Sequence, residues 1–340
     1  MKRKSVSKVI IGLVLILTMV LLAACGADAP PSQTETPSEQ ASAPAADPSD
    51  APAEGSEQLS IGAVLSSTYT EFWSAVALGV EEGARDLGVN VTVVAPASEA
   101  DIASQTNMVE EMISRDIDAL IVSPVESATM VAPLKAAIDK NIPVVVFDSD
   151  TAENRDVFVG ISNKEAAASV SPVLSSVLGE GKKYVMIGGV QGHQADIGRC
   201  DGFKQAISES GGELLELQNG DWTADKAMTI MENFLSKYTE IDAVCCASDN
   251  TALGALRAVQ ATDRDIEVIG FDANESAVQE VIDGNMLATI SQDAYNIGYT
   301  TVECAVKLAN GEKVDEFVYV PTQLVTGENA KEFYDSMWGS

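Results

Sequence analysis

The chain reads as an α/β protein of two doubly wound parallel-sheet lobes joined by a hinge, and three observations carry that reading. Apolar, β-rich runs alternate with stretches of helical spacing along nearly all of the chain beyond position 58. The runs stop at polar residues: Val144-Val145-Val146-Phe147 at Asp148, and Val268-Ile269-Gly270-Phe271 at Asp272. That is the pattern of parallel strands whose carboxyl ends gather ligands. The plan also recurs at one spacing. Asp148 and Asp272 stand 124 positions apart, as do Ile117-Asp118-Ala119 and Ile241-Asp242-Ala243, and Ile61-Gly62-Ala63-Val64 and Val185-Met186-Ile187-Gly188. Three registers sharing one offset indicate two copies of one supersecondary plan. Two such lobes facing each other make a cleft with an aspartate on either wall.

Taken in order, the chain opens on a basic start (Lys2, Arg3, Lys4, Lys8) and an apolar run from Val9 to Ala24, followed by Cys25. The run is short for a membrane span and suits an export signal over residues 1–24. Its ending, Leu22-Ala23-Ala24-Cys25, resembles the lipobox of bacterial lipoproteins. That resemblance implies diacylation of Cys25 and a tether to the outer face of the cell membrane, Gram-positive-like, without a span. From Gly26 to about Glu57 there is no aromatic residue and no aliphatic larger than Ala. Nothing there offsets the entropy of ordering, so residues 25–58 read as a lipidated cysteine and a flexible stalk.

The first lobe then runs strand (Leu59–Leu65), helix (Trp73, Val76, Val80, Ala84 and Leu87 at helical spacing, ended by Gly88), strand (Val91–Val94) and helix (Ile102–Ile113). Strand Ala119–Val122, helix Ala128–Ile138, strand Val144–Phe147 and a short strand Val157–Ile161 complete it. The second lobe repeats the plan. A helix from about Lys164 to Leu178 precedes strand Tyr184–Ile187 and the Gly188-Gly189-Val190-Gln191-Gly192-His193 loop. A helix through Phe203 and Ile207, strand Leu214–Leu217, helix Ala227–Leu235, strand Ala243–Ala247 and helix Ala252–Val259 follow. Strand Val268–Asp272, the run Ala288–Gln292, helix Ile297–Leu308 and Val318–Pro321 close the pattern. A parallel sheet covered on both faces is the expected product.

Charge narrows the function. The chain holds 21 basic and 51 acidic residues, and removal of the leader takes four of the basic ones. A surface that acidic repels phosphate backbones, so nucleic-acid binding is excluded. Cys200, Cys245, Cys246 and Cys304 show no C-x-x-C spacing, which argues against a zinc site and leaves disulfide pairing open. Asp148 and Asp272 could form a catalytic carboxylate pair, but they end equivalent strands of different lobes, so their spacing varies with cleft closure. The only histidine, His193, has no Ser-His-Asp context and reads as a solvent-facing loop residue. No enzyme activity, cofactor or metal is expected. The Gly188–Gly192 loop lacks a full phosphate-cradle motif and reads as a turn that lets the backbone approach a ligand.

The remaining polar and aromatic residues fit a sugar. Arg199 presents forked donors in a stretch otherwise poor in basic residues. Phe72, Trp73 and Trp222 lie at strand-to-helix boundaries, Trp73 fitting either a helix core face or a site. A monosaccharide needs flat aromatic faces for its C–H surfaces, carboxylates for its hydroxyl donors and a guanidinium for its oxygens.

From about Leu59 to Val325 the chain resembles the sugar receptors of the type I periplasmic-binding-protein fold, closest to the ribose-binding branch. The resemblance rests on Ile61-Gly62 with Glu71-Phe72-Trp73, Ile142 through Asp148, Arg199-Cys200-Asp201-Gly202-Phe203, Ser248 through Ala255, and Gly270-Phe271-Asp272. It implies lobes of residues 59–163 with 293–320 and of 164–292 with 321–340, joined by three hinge strands. It further implies a ligand site of Ser66, Thr70, Phe72, Trp73, Ser123, Asp148, Ser149, Arg199, Trp222, Ser248, Asp249, Asp272 and Gln292. Thr70, Ser123, Ser149 and Ser248 stand where the ribose receptors carry longer polar arms, which leaves room for another pentose, a hexose or a sugar alcohol. The implied function is a monomeric solute-receiving lipoprotein that binds a small sugar or polyol and delivers it to an ABC permease. The rival is a sensor of sugar or autoinducer-2 that feeds a chemoreceptor or histidine kinase without transport. A LacI-type repressor shares the fold but needs an N-terminal helix-turn-helix, where this chain carries the lipobox and stalk.

Overall fold

The computed structural model describes residues 58–339; the leader, Cys25 and the stalk lie outside the described residues. The first sheet is built from β1 (Ser60–Val64), β2 (Asn90–Val94), β3 (Ala119–Val122), β4 (Val144–Phe147) and β5 (Val157–Gly160), with β11 (Phe317–Tyr319) added at one edge. Its order is β11-β5-β4-β3-β1-β2, and every pairing is parallel. The second sheet repeats the plan with β6 (Lys183–Gly188), β7 (Glu213–Asn219), β8 (Ala243–Cys246), β9 (Glu267–Ile269) and β10 (Ala288–Ser291). β12 (Gln323–Thr326) closes it antiparallel to β10, in the order β12-β10-β9-β8-β6-β7. In each sheet the strand order reverses beside the first strand, which opens a crevice at the carboxyl ends.

The period of two along the strands puts each sheet between two cores. In the first lobe Ile61, Ala63, Ile121, Val145 and Phe147 face one core, while Val64, Leu120, Val122, Val144 and Val146 face the other. In the second lobe Cys246 joins Val185, Ile187 and Val268, and Cys245 joins Tyr184, Met186 and Phe271 on the opposite face. These two thiols therefore point into different cores and fill apolar space. All four cysteines of the described residues are free and buried.

Helices cover both faces. α1 (Glu71–Leu87) starts at Thr70, whose side chain accepts from the Trp73 N–H, and ends at Gly88 in the left-handed conformation. α2 (Ile102–Ser114) and α3 (Ser127–Asp139) follow in the same lobe. The single helix expected over 164–178 is instead broken into α4 (Asn163–Ala168), α5 (Ser171–Val173) and a π-helical turn at Leu174–Leu178. Pro172 is the cause, since it cannot donate into the ladder of the preceding turn. α6 (Gln194–Glu209), α7 (Ala224–Lys237), α8 (Asp249–Gln260) and α9 (Glu275–Ile282) complete the second lobe before β10.

The chain crosses between sheets three times: after β5, after β10, and between β11 and β12. α10 (Ala294–Ala309) follows the second crossing and packs against α1 of the first lobe, while α11 (Ala330–Trp338) packs on α9 of the second. The helix over Glu275–Ile282, β12 and α11 were not anticipated from sequence pattern. No helix of the described residues is long and apolar enough to cross a membrane.

Candidate functional site

Every residue of the cleft hangs from the carboxyl end of a strand. Thr70, Phe72 and Trp73 follow β1; Glu99 follows β2; Asp148 follows β4. Across the cleft, His193 and Arg199 follow β6, Trp222 follows β7, Ser248 and Asn250 follow β8, and Asp272 follows β9. Together they line one cavity in the cleft, in the crevice outside the strand ends where ligands of open α/β sheets bind. Asp148, Trp222 and Asp272 all have positive φ, at 61°, 60° and 113°. Non-glycine residues hold such backbone only where the surroundings over-determine it, and they cluster at functional sites.

Arg199 is the centre of the arrangement. Its Nη1 donates to Asp272 Oδ1 at 3.1 Å and to the Ala247 carbonyl at 2.9 Å, and its Nε donates to Asn163 Oδ1 at 2.9 Å. Nη2 lies 3.8 Å from Asp148 Oδ1 on the other lobe. The guanidinium also stacks over Phe271 at 4.1 Å and stands 5.6 Å from the Trp222 ring. The three charged groups are almost wholly buried. The lobes are also bridged by the Gln194 N–H donating to Ser149 Oγ at 3.2 Å and the Ser276 N–H to Glu71 Oε2 at 3.2 Å. The cleft is closed.

The aromatic wall is equally ordered. Phe72 meets Trp73 edge to face at 5.0 Å, and Trp73 meets Phe147 at 6.1 Å. Trp73 thus packs in the core and lines the cavity at once. Trp222 sits in a turn after β7 and lies against Gly189, where a Cβ would fall 2.1 Å from the indole. The close approach in the glycine loop is therefore to Trp222. Gly189→Ala is expected to displace the indole and weaken ligand binding about tenfold or more, at a stability cost of about 1–3 kcal/mol. Calorimetric titration beside thermal unfolding would check both numbers.

His193 is not solvent-facing. It is 3 % exposed and its ring meets Trp222 edge to face at 5.5 Å. The Trp222 turn covers it, a long-range contact that the glycine-rich local sequence conceals. Burial, with the positive charge of Arg199, pushes its pKa down to about 3, so the ring is neutral. The Pro124 carbonyl opposes the shift without reaching hydrogen-bond geometry. Among the described residues, both His193 ring nitrogens, Trp222 Nε1 and Gln292 Oε1 are buried without hydrogen-bond partners.

The other expected site residues divide into two layers. Thr70 and Ser248 reach the cavity while capping α1 and α8. Ser66 and Ser123 are buried behind it, the Ser66 hydroxyl donating to the Ser123 carbonyl at 2.8 Å. Asp249 also stands behind the wall. It accepts from Thr289 Oγ1 and the Asn274 N–H, both at 2.7 Å, and so holds the turn that presents Asp272. Gln292 Nε2 donates to Asp272 Oδ1 at 2.7 Å. Glu99 and Asn250 reach the cavity without having stood out in the sequence.

Glu99 is half-buried, and its carboxylate accepts from the buried Trp73 Nε1 at 3.0 Å. Burial, then the charge of Asp148, push its pKa up to about 8. Burial likewise raises Asp148 to about 6 against the pull of Arg199, and raises Asp272 against the same pull. The folded protein therefore holds extra protons above the ordinary carboxylate range, and stability falls as pH rises through the raised values. Between pH 6.5, the ordinary value for His193, and pH 8, Glu99 contributes to that fall together with Asp249, which burial raises well above the carboxylate range. The ligand-free protein is expected to lose stability across that window, by at most about 1.4 kcal/mol per pH unit for one proton. Urea midpoints at the two pH values would show it, and Glu99→Gln should reduce the slope.

Two doubly wound lobes, three crossings and a closed polar cavity at the strand ends define a two-lobed binding protein of the type I periplasmic class. The chain belongs to the periplasmic binding protein domain family, whose model matches residues 61–313. It is 29% identical over 317 residues to the ribose import binding protein of Bacillus subtilis, covering 93% of this chain and 98% of that one. It is 30% identical over 289 residues to the D-ribose/D-allose-binding protein of Pseudomonas aeruginosa, covering 81% and 91%. Among solved structures, it is similar to an ABC transporter solute binding protein of Bacillus halodurans with bound myo-inositol. The TM-score is 0.76 and the identity 32%, over 83% of this chain and 99% of that one. A solute binding protein of Mycobacterium smegmatis with bound glycerol gives 0.77 and 30%, over 81% and 96%.

Proposed function

We propose that this protein captures a monosaccharide or sugar alcohol between its lobes and delivers it to the permease of an ABC importer, working as a monomer tethered by lipid on Cys25. One observation carries the reading: the cavity joins aromatic faces to a buried Asp148–Arg199–Asp272 bridge and to unpartnered polar atoms on His193 and Trp222. An aromatic face packs the C–H surface of a sugar ring. Carboxylates accept from hydroxyls, and guanidinium and indole N–H groups donate to ring oxygens. Ligand bridging both walls favours the closed form, which a permease can distinguish from the open one. The relatives from Bacillus subtilis and Pseudomonas aeruginosa, named for ribose and ribose or allose, support the class of ligand.

The test is thermal unfolding of the lipid-free protein against pentoses, hexoses, polyols and autoinducer-2. A ligand at about 100 times its Kd stabilises by about 2.7 kcal/mol, a shift of several degrees. One strong hit that Asp272→Ala abolishes is the expected result. An unshifted transition across the whole panel would remove the sugar reading.

A further inference from the structure

The cavity is lopsided in charge. Three carboxylates line it, those of Glu99, Asp148 and Asp272, against one guanidinium, that of Arg199. Arg199 is already shared between the two aspartates, at 3.1 Å from Asp272 and 3.8 Å from Asp148. No cationic side chain stands within ion-pair distance of Glu99 among the described residues; its partner there is the Trp73 indole N–H at 3.0 Å. His193 supplies no charge, since its buried ring is neutral. A wholly neutral ligand leaves Glu99 without a counter-charge in a closed cleft, where an unpaired carboxylate is costly and takes up a proton instead; an ammonium beside it lets it ionise as a pair.

We propose that the natural ligand is a cationic polyol, an amino sugar or amino-polyol whose ammonium sits against Glu99 while its hydroxyls engage Asp148, Arg199 and Asp272. The inference rests on the sugar or polyol reading of the cleft given above. A second observation is independent of the acidic cluster: His193 and Trp222 line the cavity, and the His193 ring nitrogens and Trp222 Nε1 are buried without hydrogen-bond partners among the described residues. They suit the hydroxyls, His193 accepting from or donating to one and Trp222 donating to another. Glu99 is left for the ammonium, an acceptor-only group for a donor-only one. The raised proton affinity of Glu99 agrees: without a cation in place, burial and the charge of Asp148 favour its protonated form.

The experiment compares pairs that differ only by an ammonium in place of a hydroxyl: D-glucosamine with D-glucose, D-galactosamine with D-galactose, glucamine with sorbitol, and an amino-deoxy-inositol with myo-inositol. Calorimetric titration of the full folded domain at pH 7 is read for wild type, Glu99→Gln and Glu99→Asp. Glu99→Gln keeps an acceptor for the Trp73 N–H and removes the charge. The expected result is an amine bound about tenfold or more tightly than its hydroxyl partner, as a charge-assisted bond is against a neutral one. That preference should vanish in Glu99→Gln and partly persist in Glu99→Asp. Hydroxyl compounds that bind as well as or better than their amines overturn the cationic ligand and leave the sugar reading standing. Binding by neither member of any pair likewise overturns the cationic ligand, and the pentose, hexose and polyol panel above then decides the sugar reading.

Discussion

Arg199→Ala is expected to abolish ligand capture and to destabilise the ligand-free protein by about 3–5 kcal/mol near pH 7, because it strips the counter-charge from two buried carboxylates. Asp148 and Asp272 sit on opposite lobes and, among the described residues, are linked through this guanidinium. The carbonyl of Ala247 and the amide of Asn163 lose their donors as well. The cost depends on pH in a definite direction. Asp148 is raised to about 6 even with Arg199 beside it, and removing the arginine lifts it further. A raised carboxylate is penalised above its folded pKa and relieved as pH falls toward the unfolded value. The variant should therefore differ from wild type least near pH 4–5 and most near pH 8. Arg199→Lys keeps a charge but loses the fork, so it should recover part of the stability and little of the binding. Urea unfolding at both extremes and calorimetric titration with the strongest hit of the panel measure the two effects. Undiminished affinity in Arg199→Ala would dismiss the central bridge as the site.

The second large effect lies away from the cavity, where α1 and α10 touch backbone to backbone. A Cβ on Gly79 would fall 2.1 Å from the Tyr295 carbonyl oxygen and 2.9 Å from the Tyr299 nitrogen. Backbone cannot swing aside as a side chain can, so the helices must part. Gly79→Ala is expected to cost about 3 kcal/mol and Gly79→Val more, at the upper end of overpacking effects. The damage reaches the ligand, because α1 carries Phe72 and Trp73 in its first turn and α10 begins just after the second crossing between sheets. Gly88→Ala is the control. Gly88 has φ of 68° with no atom near the added carbon, so that change costs about 1 kcal/mol of backbone strain alone. Thermal unfolding ranks the three variants. A Gly79→Ala protein that melts within a degree of wild type would show that α1 and α10 part without cost.

Much of this was legible in the chain itself. Ala119–Val122 and Val144–Phe147 appear as strands with the bounds read from their apolar runs, because strands buried on both faces have no alternative pattern to adopt. α9 escaped notice because eight residues give little more than two turns of periodicity. Pro172 was the visible sign that the helix over 164–178 would break. Glu99 lies in Ala97-Ser98-Glu99-Ala100-Asp101, which looks like any exposed acidic loop. The signal that could have found it is positional: it follows a strand's carboxyl end, as Asp148 and Asp272 do.

By itself the sequence determined the two-fold α/β plan, the strand ends that face one another and the aspartate on each wall, since periods of 2 and 3.6 and the offset of 124 are properties of the linear chain. Tertiary structure alone decided the rest: that His193 is buried under Trp222, that Asp249 braces the wall instead of lining it, and that Glu99 adds a third carboxylate beside one arginine. Those outcomes depend on distances between residues far apart in the chain and brought together by three crossings, and no local pattern encodes such distances.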